Sequence, residues 1–295
     1  MNTVVSKPAI AGVAVSSVFS LGAWSCNNDG SGSHTNPDDA IEPPSGAICV
    51  WNQAYQENYT EDEVSAMVAN ARGCYVLIDP FGSVEARNAI SQLKAHENVV
   101  GCYISSGTCE DWRDDYEEMR EFCVDTPWGE WAGEYFVDEP GNELIALMQK
   151  RIDTMATWGC DMVQFDNMDW AFDDEKREAY GFGATPEEAI AYNQTLCDYT
   201  RGRGMGCMAK NTNEGAEDFD GVTFESYNDD TAPGKDWWSH DELQGFLDAG
   251  KNCIIVHYDE PDCDDVYAQY RQVYGDGLSF ICEDRSEKAY RHYSP

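Results

Sequence analysis

From Ile48 onward, short apolar runs alternate with longer amphipathic ones, a rhythm that few folds accommodate. The runs at 48–51, 75–78, 99–104, 162–166, 205–209, 221–224, 253–258 and 278–281 are rich in Val, Ile, Phe, Cys and Met. Their length and bounding turn residues predict buried strands. Between them, Thr60 caps a helix over 61–72 that Gly73 ends, and helices follow over about 83–96 and 142–158, the second closed by Gly159. Thr185-Pro186-Glu187-Glu188 opens another that runs to about 201. Shorter helical stretches are expected over about 111–122, 239–249 and 262–274, and 128–138 reads as a Trp-rich loop. Eight strands joined by helical crossovers require a parallel sheet, and eight such units predict an α/β fold: a closed (β/α)8 TIM barrel forming a single domain.

The 295 residues suffice for one large core. The expected organisation is a signal peptide over 1–25, a flexible leader over 26–46 and the barrel domain over 47–295. Lys7 precedes an apolar run from Ala9 to Ala23, and Ala23-Trp24-Ser25 fits a small-x-small cleavage site. That run is too short to span a bilayer comfortably, and nothing later approaches the length of a transmembrane helix. The protein is therefore expected to be secreted and monomeric. Cys26 marks an alternative, a lipid anchor, although Ala23 and Trp24 make a poor lipobox. The 12 cysteines suit disulfides in an exported chain, with Cys109 and Cys123 the best-placed pair. Cys49, Cys74, Cys102, Cys160, Cys207, Cys253 and Cys282 lie in or beside strands, where cysteine also serves as a small hydrophobe. A formal charge of −36, from 55 acids and 19 bases, argues against nucleic acid or an anionic membrane as partner.

Polar residues gather where the predicted strands end: Asp79, Ser105, Asp166, Lys210, Glu225, His257 and Tyr258. In a barrel those ends converge on one mouth, where active sites form. The stretch 161–169 is the plainest case, since alternation sets Met162, Gln164 and Asp166 on one face and Val163, Phe165 and Asn167 on the other. Asp166 and Glu225 are separated by one strand, roughly 9–10 Å between backbones. Paired acids at such separations are the machinery of glycoside hydrolysis. Lys210, on the intervening strand, would hold one acid ionised, or else form a structural ion pair. Aromatics at predicted loop positions (Trp51, Trp112, Trp128, Trp131, Trp170, Tyr227, Trp237 and Trp238) suit a carbohydrate cleft, with plain packing as the alternative. H-E-x-x-H, G-x-S-x-G and P-loop patterns are missing. The acids around 259–265 lack the EF-hand pattern, so neither a metal nor a cofactor is called for.

These residues together resemble glycoside hydrolase family 114, the endo-α-1,4-polygalactosaminidases. The ordered segments that carry the likeness are Leu77-Ile78-Asp79, Cys102 through Gly107, Trp112-Arg113-Asp114, Trp131-Ala132-Gly133-Glu134 with Tyr135 to Asp138, Arg151-Ile152-Asp153, Gly159 through Asp169, Lys210-Asn211 and Phe224-Glu225. The resemblance implies Asp166 and Glu225 as the catalytic pair, with Asp79, Tyr103, Asn167, Asp169 and Lys210 lining the pocket. Tyr227 and Tyr258 join them as expected substrate-binding residues. It also implies a cationic galactosamine polymer as substrate, consistent with an acidic chain. The sequence departs from the family pattern at Gln164, Phe165, Ser226-Tyr227 and His257. Two alternatives follow from Gln164 and His257: a non-catalytic glycan-binding barrel, or a hydrolase of another α-glycan.

Overall fold

The computed structural model describes residues 43–53, 59–129, 131–212, 218–227, 238, 240–260, 262–284 and 289–295. The expected signal peptide, Cys26 and the leader as far as residue 42 lie outside them.

Eight parallel strands form the core of one sheet: β1 (Cys49–Asn52), β2 (Cys74–Ile78), β3 (Val99–Ser105), β6 (Met162–Asp166), β7 (Gly206–Lys210), β8 (Gly221–Tyr227), β9 (Asn252–Glu260) and β10 (Leu278–Asp284), in that order. A ninth, β11 (Ala289–His292), pairs antiparallel with β10. Helices α1 (Glu61–Asn70), α2 (Val84–Lys94), α4 (Asn142–Trp158), α6 (Pro186–Gly202), α7 (His240–Asp248) and α8 (Cys263–Tyr274) supply crossovers. The barrel is nearly closed. Across the seam between β1 and β10, Ile48 N donates to the Ser279 hydroxyl at 2.9 Å. His292 of β11 stacks on Trp51 of β1, ring centroids 3.9 Å apart.

Alternation sorts the strand side chains into two apolar layers. Val50, Tyr75, Leu77, Met162, Met208, Ile254, Val256, Tyr258 and Ile281 fill the barrel interior. Their neighbours, among them Val76, Ile78, Val163, Phe165, Cys207, Val222, Phe224, Cys253 and Ile255, pack outward against the helices. The helix ends follow local chemistry. Thr60 and Thr185 each form a capping box with the Glu three residues on. Gly159 closes α4 in the left-handed region, at φ 87°.

Three segments differ from the sequence reading. The Trp-rich loop contains β5 (Glu134–Phe136), which pairs antiparallel with β4 (Thr108–Glu110) as a small ribbon above β3. Helix α3 (Tyr116–Met119) is only the core of the stretch expected over 111–122, and α5 (Asp174–Tyr180) lies in a segment where no helix is expected. Cysteine use differs too. Disulfide-distance pairs join Cys49–Cys74, Cys102–Cys160, Cys109–Cys123, Cys197–Cys207 and Cys263–Cys282. The expected Cys109–Cys123 bridge is among them. Of the seven strand cysteines only Cys253 is free, so it alone acts as a buried hydrophobe.

Candidate active site

At the carboxyl ends of β3, β6, β7, β8 and β9 the barrel opens into a cavity of about 470 Å³. Strand parity delivers Tyr103, Gln164, Asp166, Lys210 and Tyr258 to it, each an even number of residues from an interior apolar side chain on its own strand, and Glu225 joins them because it stands in register with interior Val256 of β9. Lys210, on β7 between the two acids, reaches both. Its Nζ lies 2.8 Å from Asp166 Oδ1 and 3.0 Å from Glu225 Oε2. The acid side chains are only 15% and 8% exposed, so this shared ammonium acts in a poorly hydrated setting where charge interactions are strong.

Asp166 is saturated with donors. Tyr103 OH donates to Oδ2 at 2.7 Å, and Lys210 Nζ and Asn167 N donate to Oδ1 at 2.8 Å each. Burial opposes its ionisation, but the Lys210 charge and these hydrogen bonds outweigh burial and hold the carboxyl below its ordinary range. Burial, then the carboxylates of Asp166, Glu110 and Glu134, push the Tyr103 phenol well above its usual value, so it remains a donor. Glu225 Oε1 accepts from Tyr258 OH at 2.9 Å, and Oε2 from Asn211 Nδ2 at 3.0 Å. Asn211 Oδ1 in turn accepts the Glu225 backbone N–H at 3.0 Å.

Asn167 and Asn211 each follow a strand's last inward side chain, and both take φ 54°. Asn tolerates this left-handed backbone better than most residues. The turn at Asn167 lets its amide donate toward Ser105, Thr108 and Glu134. Its carbonyl crosses so near Gly107 that a Cβ there would sit 1.9 Å away. Gly107 is the close-approach residue that this crossing needs.

The ribbon and following loops form the opposite wall. Glu110, Trp112, Trp128, Trp131, Glu134, Asp169 and Lys176 line it. Glu134 is pushed up to about 8, by burial first and then by the Glu110 and Asp166 charges. Asp169 is raised to about 6, chiefly by burial. Trp131 is 49% exposed at the rim. Lys176 lies over the Trp128 and Phe136 rings, 5.3 and 5.6 Å from their centroids.

Tyr103, Asn167, Asp169, Lys210 and Tyr258 thus gather round Asp166 and Glu225 in one cavity. Asp79 does not line it. Arg113 folds over that carboxylate at 2.8 Å while also gripping Glu110 at 2.7 Å, so Glu110 takes the wall position expected of Asp79. His257 also fails to reach the mouth, because parity turns it outward against Tyr270 of α8. The side chains of Tyr227 and Trp237 lie outside the described residues. Trp170 and Trp238 are core residues, and Trp51 packs on His292. Asn211 and Glu134 lay within motifs quoted for the family likeness, without a role of their own. Glu110, Gln53 and Lys176 carried no sequence signal. No group of three or more His, Cys, Asp or Glu that could hold a metal occurs among the described residues. No described helix is long and apolar enough to cross a membrane.

A parallel barrel that collects paired carboxylates at the carboxyl edge of its strands has the layout of a barrel enzyme working by acid–base or nucleophilic chemistry. The family profile of glycoside-hydrolase family GH114 matches residues 36–294, and the chain belongs to that family; it is a glycosidase with a TIM-barrel fold. Its fold is shared with Ega3 of Aspergillus fumigatus, solved in complex with galactosamine, at TM-score 0.66 and 18% identity over 89% of this chain and 100% of that one. The glycoside hydrolase domain of PelA from Pseudomonas aeruginosa matches at TM-score 0.59 and 13% identity, covering 81% and 94%. Trehalose-6-phosphate hydrolase of Bacillus licheniformis matches at TM-score 0.51 and 10% identity, covering 81% and 64%. No curated protein sequence matches the chain.

Proposed function

We propose that this chain is a secreted endo-acting glycosidase that cleaves internal α-1,4 bonds of a cationic, galactosamine-containing polysaccharide. The observation that carries the reading is Lys210 bridging Asp166 and Glu225 at 2.8 and 3.0 Å. The shared ammonium keeps the two bonded oxygens within about 6 Å, nearer the roughly 5–5.5 Å of a retaining pair than the roughly 6.5–9.5 Å of an inverting one. On that basis Asp166 is the nucleophile, kept ionised by Lys210, Tyr103 and Asn167. Glu225 protonates the leaving glycosidic oxygen as Asp166 attacks the anomeric carbon. In the second step Glu225 takes a proton from water, whose oxygen displaces Asp166 and regenerates the free carboxylate. Asp169 and Tyr258 contact the sugar, and the Trp112, Trp128 and Trp131 rings offer faces on which sugar rings stack.

The substrate rests on the family and on charge. Five acidic side chains, of which Glu134 ionises when a cation arrives, and two cations, Lys176 and Lys210, line the cavity, and the whole chain carries −36. Ega3, of the same fold, binds galactosamine. Secretion is supported by the five disulfide-distance pairs, which persist in oxidising compartments. Asp166→Asn and Glu225→Gln should each lower kcat at least ~10³-fold on an α-1,4-galactosamine oligomer while leaving thermal unfolding cooperative. Near-normal turnover by either folded variant would remove that residue from the catalytic pair.

A further inference from the structure

Building on that galactosamine reading, we propose that Glu134 reads the free amino group of the substrate, its Oε1 receiving the ammonium of a sugar seated against Asp166. Glu110, Glu134, Asp166, Asp169 and Glu225 are the cavity's five carboxylates. Three have both oxygens engaged by the chain itself. Arg113 clamps Glu110 through Nε and a terminal nitrogen at 2.8 and 2.7 Å. Asp166 is held by Tyr103, Lys210 and Asn167, and Glu225 by Tyr258, Asn211 and Lys210.

Glu134 is different. Thr108 Oγ1 donates to its Oε2 at 2.6 Å and Asn167 Nδ2 at 3.2 Å, which fixes the side chain. Among the described residues no donor reaches Oε1, although the residue is only 6% exposed and lines the cavity. The same Asn167 that orients Oε2 donates its backbone N–H to Asp166. An amine held on Oε1 is therefore tied by one residue to the position of the nucleophile. Asp169 also lacks a side-chain partner there, but the Lys176 charge faces it. Facing Glu134 are Tyr103, Glu110, Asp166 and Lys210; Glu110 and Asp166 are acids that attract a cation, and the Lys210 ammonium is already shared between Asp166 and Glu225.

At neutral pH Glu134 holds a proton, since burial and its acidic neighbours lift it to about 8. Binding an ammonium group ionises it: the O–H bond breaks, the proton leaves to solvent, and a carboxylate–ammonium pair forms in its place. An N-acetylated sugar has no charge to drive that exchange. The site thus separates deacetylated from acetylated units by a charge created only when the right group arrives.

The test is calorimetric binding of galactosamine and of N-acetylgalactosamine to the wild-type chain at about pH 6.5, where both the amine and Glu134 carry protons, in two buffers of different ionisation enthalpy. Release of close to one proton per galactosamine bound, and none for N-acetylgalactosamine, is expected. In Glu134→Gln the release should vanish, and galactosamine affinity should fall roughly 10- to 100-fold while that for N-acetylgalactosamine changes little. On oligomers the same variant should raise KM more than it lowers kcat. The wild-type proton count needs no variant to fold. If the wild type cleaves galactosamine oligomers but binds the sugar without releasing a proton, or if Glu134→Gln weakens both sugars equally, this assignment alone is overturned. If the wild type neither cleaves nor binds galactosamine, the proposed function falls and the assignment falls with it.

Discussion

Lys210 is the residue on which the charges of the site depend. Removing its ammonium leaves Asp166 and Glu225 buried side by side without a counter-charge, a costly arrangement. Lys210→Met should raise the Asp166 pKa and move the acid limb of kcat upward in pH, with kcat lower by roughly 100-fold or more. An acid limb that stays put in a pH–rate series would refute this role. Glu134 gives a second test at this scale, in stability. Its carboxyl rises from an ordinary 4.5 to about 8 on folding, so between those values the folded chain keeps a proton that the unfolded chain has lost. Its contribution to stability therefore falls as pH rises from about 4.5 to about 8, by up to a few kcal/mol. Denaturant titrations across that window should show a shallower decline for Glu134→Gln; parallel declines would contradict the reading. Asp166, Lys210 and Glu225 were legible because strand parity and chain order alone send them to the mouth. Asp79 passed the same parity argument but is capped by Arg113, 34 residues on, and no local pattern announces that contact.

At the level of elements, the β4–β5 ribbon and the Asn167 turn lock against each other. Gly107→Ala would drive a methyl group to 1.9 Å from the Asn167 carbonyl, so the turn or β4 must shift. A loss of about 1–3 kcal/mol and a lower kcat are expected, read by denaturant unfolding and turnover on the same preparation. Unchanged values of both would mean that the crossing is not rigid. The Cys109–Cys123 bridge anchors the segment between the two ribbon strands across a separation of 14 residues. Replacing both cysteines by serine should lower stability by about 3 kcal/mol with a detectable fall in Tm. The eight barrel strands could be read from sequence because each is an apolar run with a turn at both ends. The ribbon strands, three residues each, and β11 could not, since pairing partners rather than periodicity define them.

For the molecule as a whole, the surplus of 36 negative charges implies long-range attraction of a polycation, weakened by salt. KM for a galactosamine oligomer should rise several-fold between about 0.05 and 0.5 M NaCl, and far less for its N-acetylated form. Equal salt responses would detach the global charge from substrate capture. Composition revealed this field, and the alternation of elements revealed the barrel. Of the wall facing the catalytic pair, Trp112, Trp128, Trp131 and Asp169 were legible as cleft residues, but Glu110, Glu134 and Lys176 were not, because they come from loops and short elements whose placement depends on tertiary packing. The central claim is that Asp166 and Glu225 cut internal bonds of a galactosamine polymer. Mass spectrometry of an α-1,4-galactosamine oligomer after incubation tests it most directly. The wild-type chain should yield shorter oligomers from internal cleavage, and Asp166→Asn none. An oligomer left intact by the wild type, or cut equally by Asp166→Asn, would contradict the account.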